Sequence, residues 1–193
     1  MHIFGPFAFL LAARALAQTT GMLGDAMVIT NNPPGARYTA MFKGKGMNST
    51  KGVVTAVSGK DGKGVSFTLM LQGLPKDGGP YSYHLHDRPV PTDGNCTGTM
   101  GHLDPYKRTQ SPACNMTMPQ TCEVGDLSGK HGKIVGPRES KSFVDWYAAL
   151  VPDTGAFFGN RSIVVHYANS TRLACANFTM DMPMCMPGED CEG

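Results

Sequence analysis

Charge, aromatic side chains and long apolar runs are all scarce in this chain. The formal net charge is +2 and charged residues make up 17% of the sequence. No basic run extends beyond Lys107-Arg108, so the electrostatic footprint of a nucleic-acid binder is missing. No apolar stretch reaches the roughly 18 to 20 residues that a membrane-spanning helix requires. Aromatic residues amount to 8%, with a single tryptophan, and no internal repeat is visible. Turn chemistry is abundant instead. There are 24 glycines and 14 prolines in 193 residues, without the three-residue period of collagen. This composition suits one loop-rich β domain of ordinary size.

The ends of the chain speak to its compartment. Residues 1–17 read as a secretory signal, with an apolar core from Phe4 to Ala13 and the small-x-small site Ala15-Leu16-Ala17. Residues 18–35, rich in Gly, Thr, Asn and Pro, are expected to form an extended arm. All six cysteines lie beyond the signal, and an oxidising compartment favours their pairing. Six cysteines allow 15 pairings, so spacing alone leaves the connectivity open. Asn-x-Ser/Thr acceptors occur at Asn48, Asn95, Asn115, Asn160, Asn169 and Asn177. Asn95 is the weakest of them because Cys96 is its middle residue. The tail, 180–193, is acidic, alternates Met180, Met182, Met184 and Met186, and carries no hydrophobic lipid-anchor signal. A secreted protein, released or held at the cell wall, is the expectation.

Between these ends, short apolar-rich runs are bounded by Gly, Pro, Asn and Asp. They cover Tyr38 to Phe42, Val53 to Val57, Val65 to Leu71, Tyr81 to His86, Ile163 to Tyr167 and Leu173 to Phe178. Each has strand length and β-rich composition. Ser66 to Leu71 alternates as a half-buried strand does, and Gly59 to Gly64 is a hairpin signal. Phe143 to Leu150 reads equally as a strand edge or a helical turn. Cys96 to Val135 reads as one long functional loop. Trp146, Tyr147 and Phe157-Phe158 are expected to pack in the core or on the sheet. The pattern predicts an antiparallel sandwich or barrel.

Apart from His2, the histidines are His84, His86, His102, His131 and His166. His84-Leu85-His86 lies within a strand-like run, where residues two apart face the same side. Two imidazoles on one face form half of a metal site. His166 ends a buried-looking strand, and His102 opens the long loop, within reach of the same face. An all-imidazole site suits copper, zinc, nickel or iron, and the lack of thiolate or carboxylate ligands leans toward copper. His131 reads as an exposed loop residue.

Five motifs occur together and in order: His84-Leu85-His86, Gly101-His102-Leu103-Asp104-Pro105, Glu123-Val124-Gly125-Asp126-Leu127, Ile163-Val164-Val165-His166 and Arg172-Leu173-Ala174-Cys175. In order and spacing they resemble the copper/zinc superoxide dismutase family over residues 36–179. The resemblance implies an eight-stranded antiparallel Greek-key barrel and the dismutation of superoxide anion to dioxygen and hydrogen peroxide. It implies His84, His86, His102 and His166 as ligands of one copper, Arg172 as the cation that draws the anion in, and a Cys96–Cys175 disulfide. The other four cysteines still allow three pairings, among them Cys114–Cys122 across the long loop and Cys185–Cys191 in the tail, and the sequence leaves that choice open.

The departures from that family are informative. The loop from Leu103 to Cys122 contains no histidine, and Glu123 stands where the last zinc histidine of the two-metal members falls. Only Tyr167 to Thr171 separates His166 from Arg172, where those members carry a long guiding loop. Both losses resemble the copper-only, extracellular branch known from fungi and oomycetes, and they imply no zinc. In that branch the glutamate holds the former bridging histidine. Glu123 therefore takes this role for His102, with Asp126 in support, since a carboxylate on the free imidazole N–H fixes tautomer and orientation. The catalytic set is then Arg172, His102 and Glu123. The alternative function is a non-catalytic secreted copper-binding or delivery protein, or a cell-surface module on the same fold. Arg172 beside the metal favours the enzyme, and the Met-rich tail favours copper handling. A monomer is expected, the copper source is not specified, and no nucleic-acid or transmembrane role is indicated.

Overall fold

The computed structural model describes residues 21–45 and 48–181. The expected signal and the Cys185 and Cys191 pair lie outside the described residues. Within them are seven strands: β1 (Arg37–Lys45), β2 (Asn48–Ser58), β3 (Val65–Gln72), β4 (Ser82–His86), β5 (Arg138–Asp145), β6 (Ser162–His166) and β7 (Arg172–Met180). One short helix, α1 (Leu127–His131), precedes β5. The strands form one sheet in the order β4-β6-β7-β1-β2-β3-β5, with every pairing antiparallel.

The sheet curls around a core of alternating side chains. In β3, Val65, Phe67, Leu69 and Leu71 are buried while Ser66 and Met70 face outward. Tyr38, Ala40 and Phe42 of β1, Val54 and Ala56 of β2, Tyr83 and Leu85 of β4, Ile163 and Val165 of β6 and Ala176 and Phe178 of β7 join it in the interior. Period-two alternation forces this division, because successive Cβ atoms leave opposite faces. All five residues of β6 are buried, so both faces of that strand are covered. The barrel core lies on one side, and the imidazoles of β4 and β6 with the loop that carries His102 lie on the other.

The curl brings β4 and β5 together at the sheet's two ends, where α1 closes the gap. Tyr83 Oη of β4 donates to Gly132 O just beyond α1 (3.0 Å), and His131 stacks on Phe143 of β5 with ring centroids 4.1 Å apart. Lys130 Nζ donates to Val124 O (2.8 Å) and pairs with Asp145 Oδ2 at the end of β5 (2.6 Å). Where the family's barrel implies an eighth strand, Tyr81 and Ile134 form a single bridge among the described residues.

Several expectations need correcting in detail. The long loop holds α1, a helix too short for a 3.6-residue pattern to show; Asp126 caps its start by accepting from Gly129 N (2.7 Å). Phe143 ends up in strand β5, and the chain turns after Asp145. His131 is half-buried rather than exposed, because Asp145 Oδ2 lies 2.8 Å from its Nε2. Of the two placements expected for Trp146 the core is excluded, since it is 44% exposed. Asp145 takes the inward position, and the indole lies against Gly64, where any Cβ would come within 3.0 Å of it. Phe158 is fully buried and Tyr147 nearly so, while Phe157 sits edge-on to Tyr38. The arm from residue 21 is bonded to the body of the domain. Ile29 N donates to Trp146 O (2.8 Å), and Asn32 bonds both Gly64 O and Leu150 N at 2.7 Å.

Candidate metal centre

Strand register assembles the first three imidazoles. Ser82 pairs with His166, His84 with Val164 and His86 with Ser162, so the side chains at 82, 84, 86 and 166 share one face. His166 is therefore a diagonal neighbour of His84. The fourth imidazole arrives through a single bridge between His86 and His102. Leu103 reinforces it by donating to Leu85 O (2.9 Å) and accepting from Gly125 N (2.8 Å). Ring centroids of His84 lie 3.9 Å from His102 and 4.8 Å from His166.

Hydrogen bonds fix which nitrogen of each ring is free. His86 Nδ1 lies 3.0 Å from Met100 O and 3.1 Å from Thr99 Oγ1. His166 Nδ1 lies 3.0 Å from Ser170 O, and His102 Nδ1 lies 2.5 Å from Glu123 Oε2. Carbonyl and carboxylate oxygens only accept, so these three nitrogens carry the hydrogens, and each Nε2 of a neutral ring bears a lone pair. His84 is wired the other way. Its Nε2 faces Ser128 Oγ (3.1 Å) and Asp126 Oδ1 (3.4 Å), which leaves Nδ1 buried with no hydrogen-bond partner.

Four ligand atoms consequently lie within 4.8 Å of one another, the one such cluster of potential ligands among the described residues. Burial pushes His84 down to about 4, against the pull of Asp126. It pushes His86 down to about 2, and the neighbouring His102 adds to that shift. Burial lowers His166 as well. At neutral pH these three rings are uncharged, the state a metal needs in its imidazole ligands. Burial alone would raise Asp126, but bonding to His84 outweighs it and brings the carboxyl to about 2. An orphaned buried Nδ1 beside three converging lone pairs fits a cation of the imidazole-preferring group.

The cluster forms the wall of an open cleft of about 320 Å³, lined also by Arg108, Gln110, Glu123 and Arg172. Arg172 donates from Nη1 to Cys96 O and to Thr99 Oγ1 (3.0 Å), and from Nη2 to Met100 O. The Cys96–Cys175 disulfide ties that turn to β7, the strand that carries Arg172. Cys114 and Cys122 form the second disulfide. Asp126 serves His84 directly rather than His102, and Glu123 alone takes the His102 hydrogen. His131 lies outside the cluster.

Sequence reasoning missed Ser128, Thr99 and the carbonyls of Met100 and Ser170. A carbonyl has no residue signature, and Ser and Thr are too common near turns to stand out. Among the glycan acceptors, Asn95, Asn115, Asn160, Asn169 and Asn177 are exposed. The Oδ1 atoms of Asn115 and Asn169 accept from Thr117 and Thr171 of their own triplets. Asn177 is committed to both polar atoms of the Val90 backbone. The side chain of Asn48 lies outside what is described.

Fold and site together define a curled antiparallel β barrel bearing a cluster of four imidazoles able to hold a metal ion, with an arginine at its mouth. Comparison with known proteins names the class. No protein-family model matches the chain. The cell surface Cu-only superoxide dismutase of Arthroderma benhamiae is 40% identical over 184 residues, covering 81% of this chain and 49% of the relative. The chain thus spans about half the length of that relative. Cell surface Cu-only superoxide dismutase 5 of Candida albicans is 38% identical over 172 residues, covering 89% of this chain and 71% of its own length. The solved Cu(II) structure of the Candida albicans superoxide dismutase 5 superposes with a TM-score of 0.72 at 35% identity, covering 80% of this chain and 98% of that one. The chain belongs to the family of cell surface Cu-only superoxide dismutases.

Proposed function

We propose that this protein dismutates superoxide, outside the cell or at its surface, at a single copper held by His84, His86, His102 and His166. The convergence of four lone pairs, with His84 Nδ1 buried and unpartnered, is the observation that carries this reading. Bound copper supplies a one-electron couple that accepts an electron from one superoxide and returns it to a second. With two protons the sum is one dioxygen and one hydrogen peroxide.

The chain's own groups do the rest. Arg172, held by three oxygens of the 96–100 turn, presents a fixed positive charge at the cleft mouth and selects small anions. His102 has one nitrogen toward the cluster and the other on Glu123, so it can carry a proton at Nε2 without losing its orientation. Glu123 keeps His102 Nδ1 protonated and directed. Asp126 and Ser128 do the same for His84 Nε2.

Zinc has no place in this reading. Glu123 occupies the outer nitrogen of His102 at hydrogen-bond distance, and no second cluster of potential ligands occurs among the described residues. A monomeric, secreted domain over residues 36–179, with glycans on Asn48, Asn115, Asn160 or Asn169, completes the proposal. Asn177 is the least available acceptor because both ends of its amide are engaged.

The test loads purified protein with copper alone and measures metal content and superoxide removal on the same sample. Turnover at one copper and no zinc supports the reading. Tight copper binding without turnover would leave a copper carrier, and a requirement for added zinc would overturn the role of Glu123.

A further inference from the structure

Arg108 is 7% exposed and sits in the loop between His102 and Glu123. Its Nε donates to Thr121 O (2.7 Å), Nη1 to Thr109 O (2.8 Å) and Pro112 O, and Nη2 to Ala113 O (3.3 Å). Each acceptor is a backbone carbonyl, and together they span the loop from its entry to its exit. The Asp104 carboxylate fixes the other end by accepting from the backbone N–H groups of Arg108 (2.9 Å) and Thr109 (2.8 Å).

These bonds bear on Glu123 because of where its neighbours are anchored. On the C-terminal side, Gly125 is bonded to Leu85 and Leu103. On the N-terminal side stands Thr121, whose carbonyl belongs to Arg108. The Cys114–Cys122 disulfide closes its own small loop, but it does not tie that loop to the segment following His102. Arg108 makes that tie. It also lines the cleft beside Gln110, whose side-chain amide lies 3.4 Å from His102 Nδ1.

We propose that Arg108 is a positioning residue: its guanidinium fork clamps the 104–122 loop so that Glu123 stays on His102. The significance for turnover rests on the function proposed above, whereas the clamp rests on geometry alone. Lysine cannot replace it, because a single ammonium cannot reach four carbonyls arranged around a planar fork.

The test uses the full chain in metal-free form and follows the downfield proton resonance of His102 Nδ1–H. Wild type shows it, and Glu123→Gln shifts or abolishes it as a control. Arg108→Gln is expected to broaden it by faster exchange while the β-sheet amide dispersion persists. Should that variant unfold the barrel, Arg108→Lys, which keeps the charge and loses the fork, is read in the same way. An unchanged resonance and exchange rate in the folded variant overturns the assignment.

A copper-loaded double-mutant cycle gives a second readout. Arg108→Lys is expected to cost about tenfold in turnover in the wild-type background and nothing further in Glu123→Gln. Equal losses in both backgrounds overturn it. A copper-loaded wild type without activity would sink the proposed function and leave the proton comparison intact.

Discussion

The Nε2 atoms of His86 and His166 face each other across 3.2 Å, and the Nδ1 hydrogen of each ring is committed to a main-chain carbonyl. Two acceptors at that separation repel unless a cation lies between them. Copper should therefore stabilise the fold strongly, by about 4 kcal/mol at a thousandfold excess over the dissociation constant. Thermal unfolding with and without one equivalent of copper checks this. In His166→Ala the copper-induced rise in melting temperature should shrink sharply, and an equal rise in both proteins contradicts the ligand set.

Glu123 accepts the His102 hydrogen with its side chain 7% exposed. In Glu123→Ala that N–H is left buried without its carboxylate, and the ring loses its orienting partner. Turnover is expected to fall by about 10- to 100-fold, with one copper still bound. Stopped-flow superoxide decay together with metal analysis separates the two effects. Retained full activity would place Glu123 outside the machinery.

Arg172 combines a charge with a fork fitted to Cys96 O, Thr99 Oγ1 and Met100 O. Arg172→Ala should lower kcat/KM on the order of tenfold, as expected for loss of a steering charge. The dependence of rate on salt should flatten in the same variant. A rate series in sodium chloride is the measurement, and an unaltered salt slope would remove Arg172 from substrate guidance.

Asp145 is fully buried between Lys130 and His131. Burial would raise its carboxyl, yet the Lys130 ammonium and the His131 bond outweigh that and hold it well below the usual carboxylate range. A depressed pKa means that the stabilisation is complete above the unfolded value near 4 and is lost as pH falls below it. Asp145→Asn leaves Lys130 buried without its partner and should cost about 3 to 5 kcal/mol. In denaturant titrations from pH 3 to 8, that difference should stay level above pH 5 and narrow in acid. A gap that widens below pH 4 would reverse the sign of the argument.

Met100 holds φ 62° and ψ −145°, a region that is essentially glycine's and costs other residues about 1 to 3 kcal/mol. Its side chain is 60% exposed, so little packing is lost on truncation. Met100→Gly trades that strain for about 1 kcal/mol of extra unfolded-state freedom. The net expectation is a melting temperature equal to wild type or a few degrees higher. A clear fall would show that the strain is not borne at this residue.

The strands were legible because they obey a local rule. Val65 to Leu71 alternates by one residue, and the structure alternates with it. The continuous apolar run Ile163-Val164-Val165 signalled a buried strand, and β6 is buried throughout. His131 departs from its expected exposure for a tertiary reason. Its burial is set by Asp145, a buried carboxylate that pairs with Lys130 and His131 of α1, and burial of a charge depends on what folds over it. Helix α1 escaped because five residues give no period to detect.

The spacing His84-x-His86, the presence of His102, His166 and Arg172 and a carboxylate at Glu123 were set by the sequence alone, since side-chain chemistry and strand period are local properties. Tertiary structure decided which nitrogen of each ring is free, that Asp126 and Ser128 address His84, that the Met100 carbonyl serves both His86 and Arg172, and that Arg108 gathers the loop. Those outcomes depend on main-chain atoms that every residue shares and on segments far apart along the chain. Only folding brings them within hydrogen-bond distance.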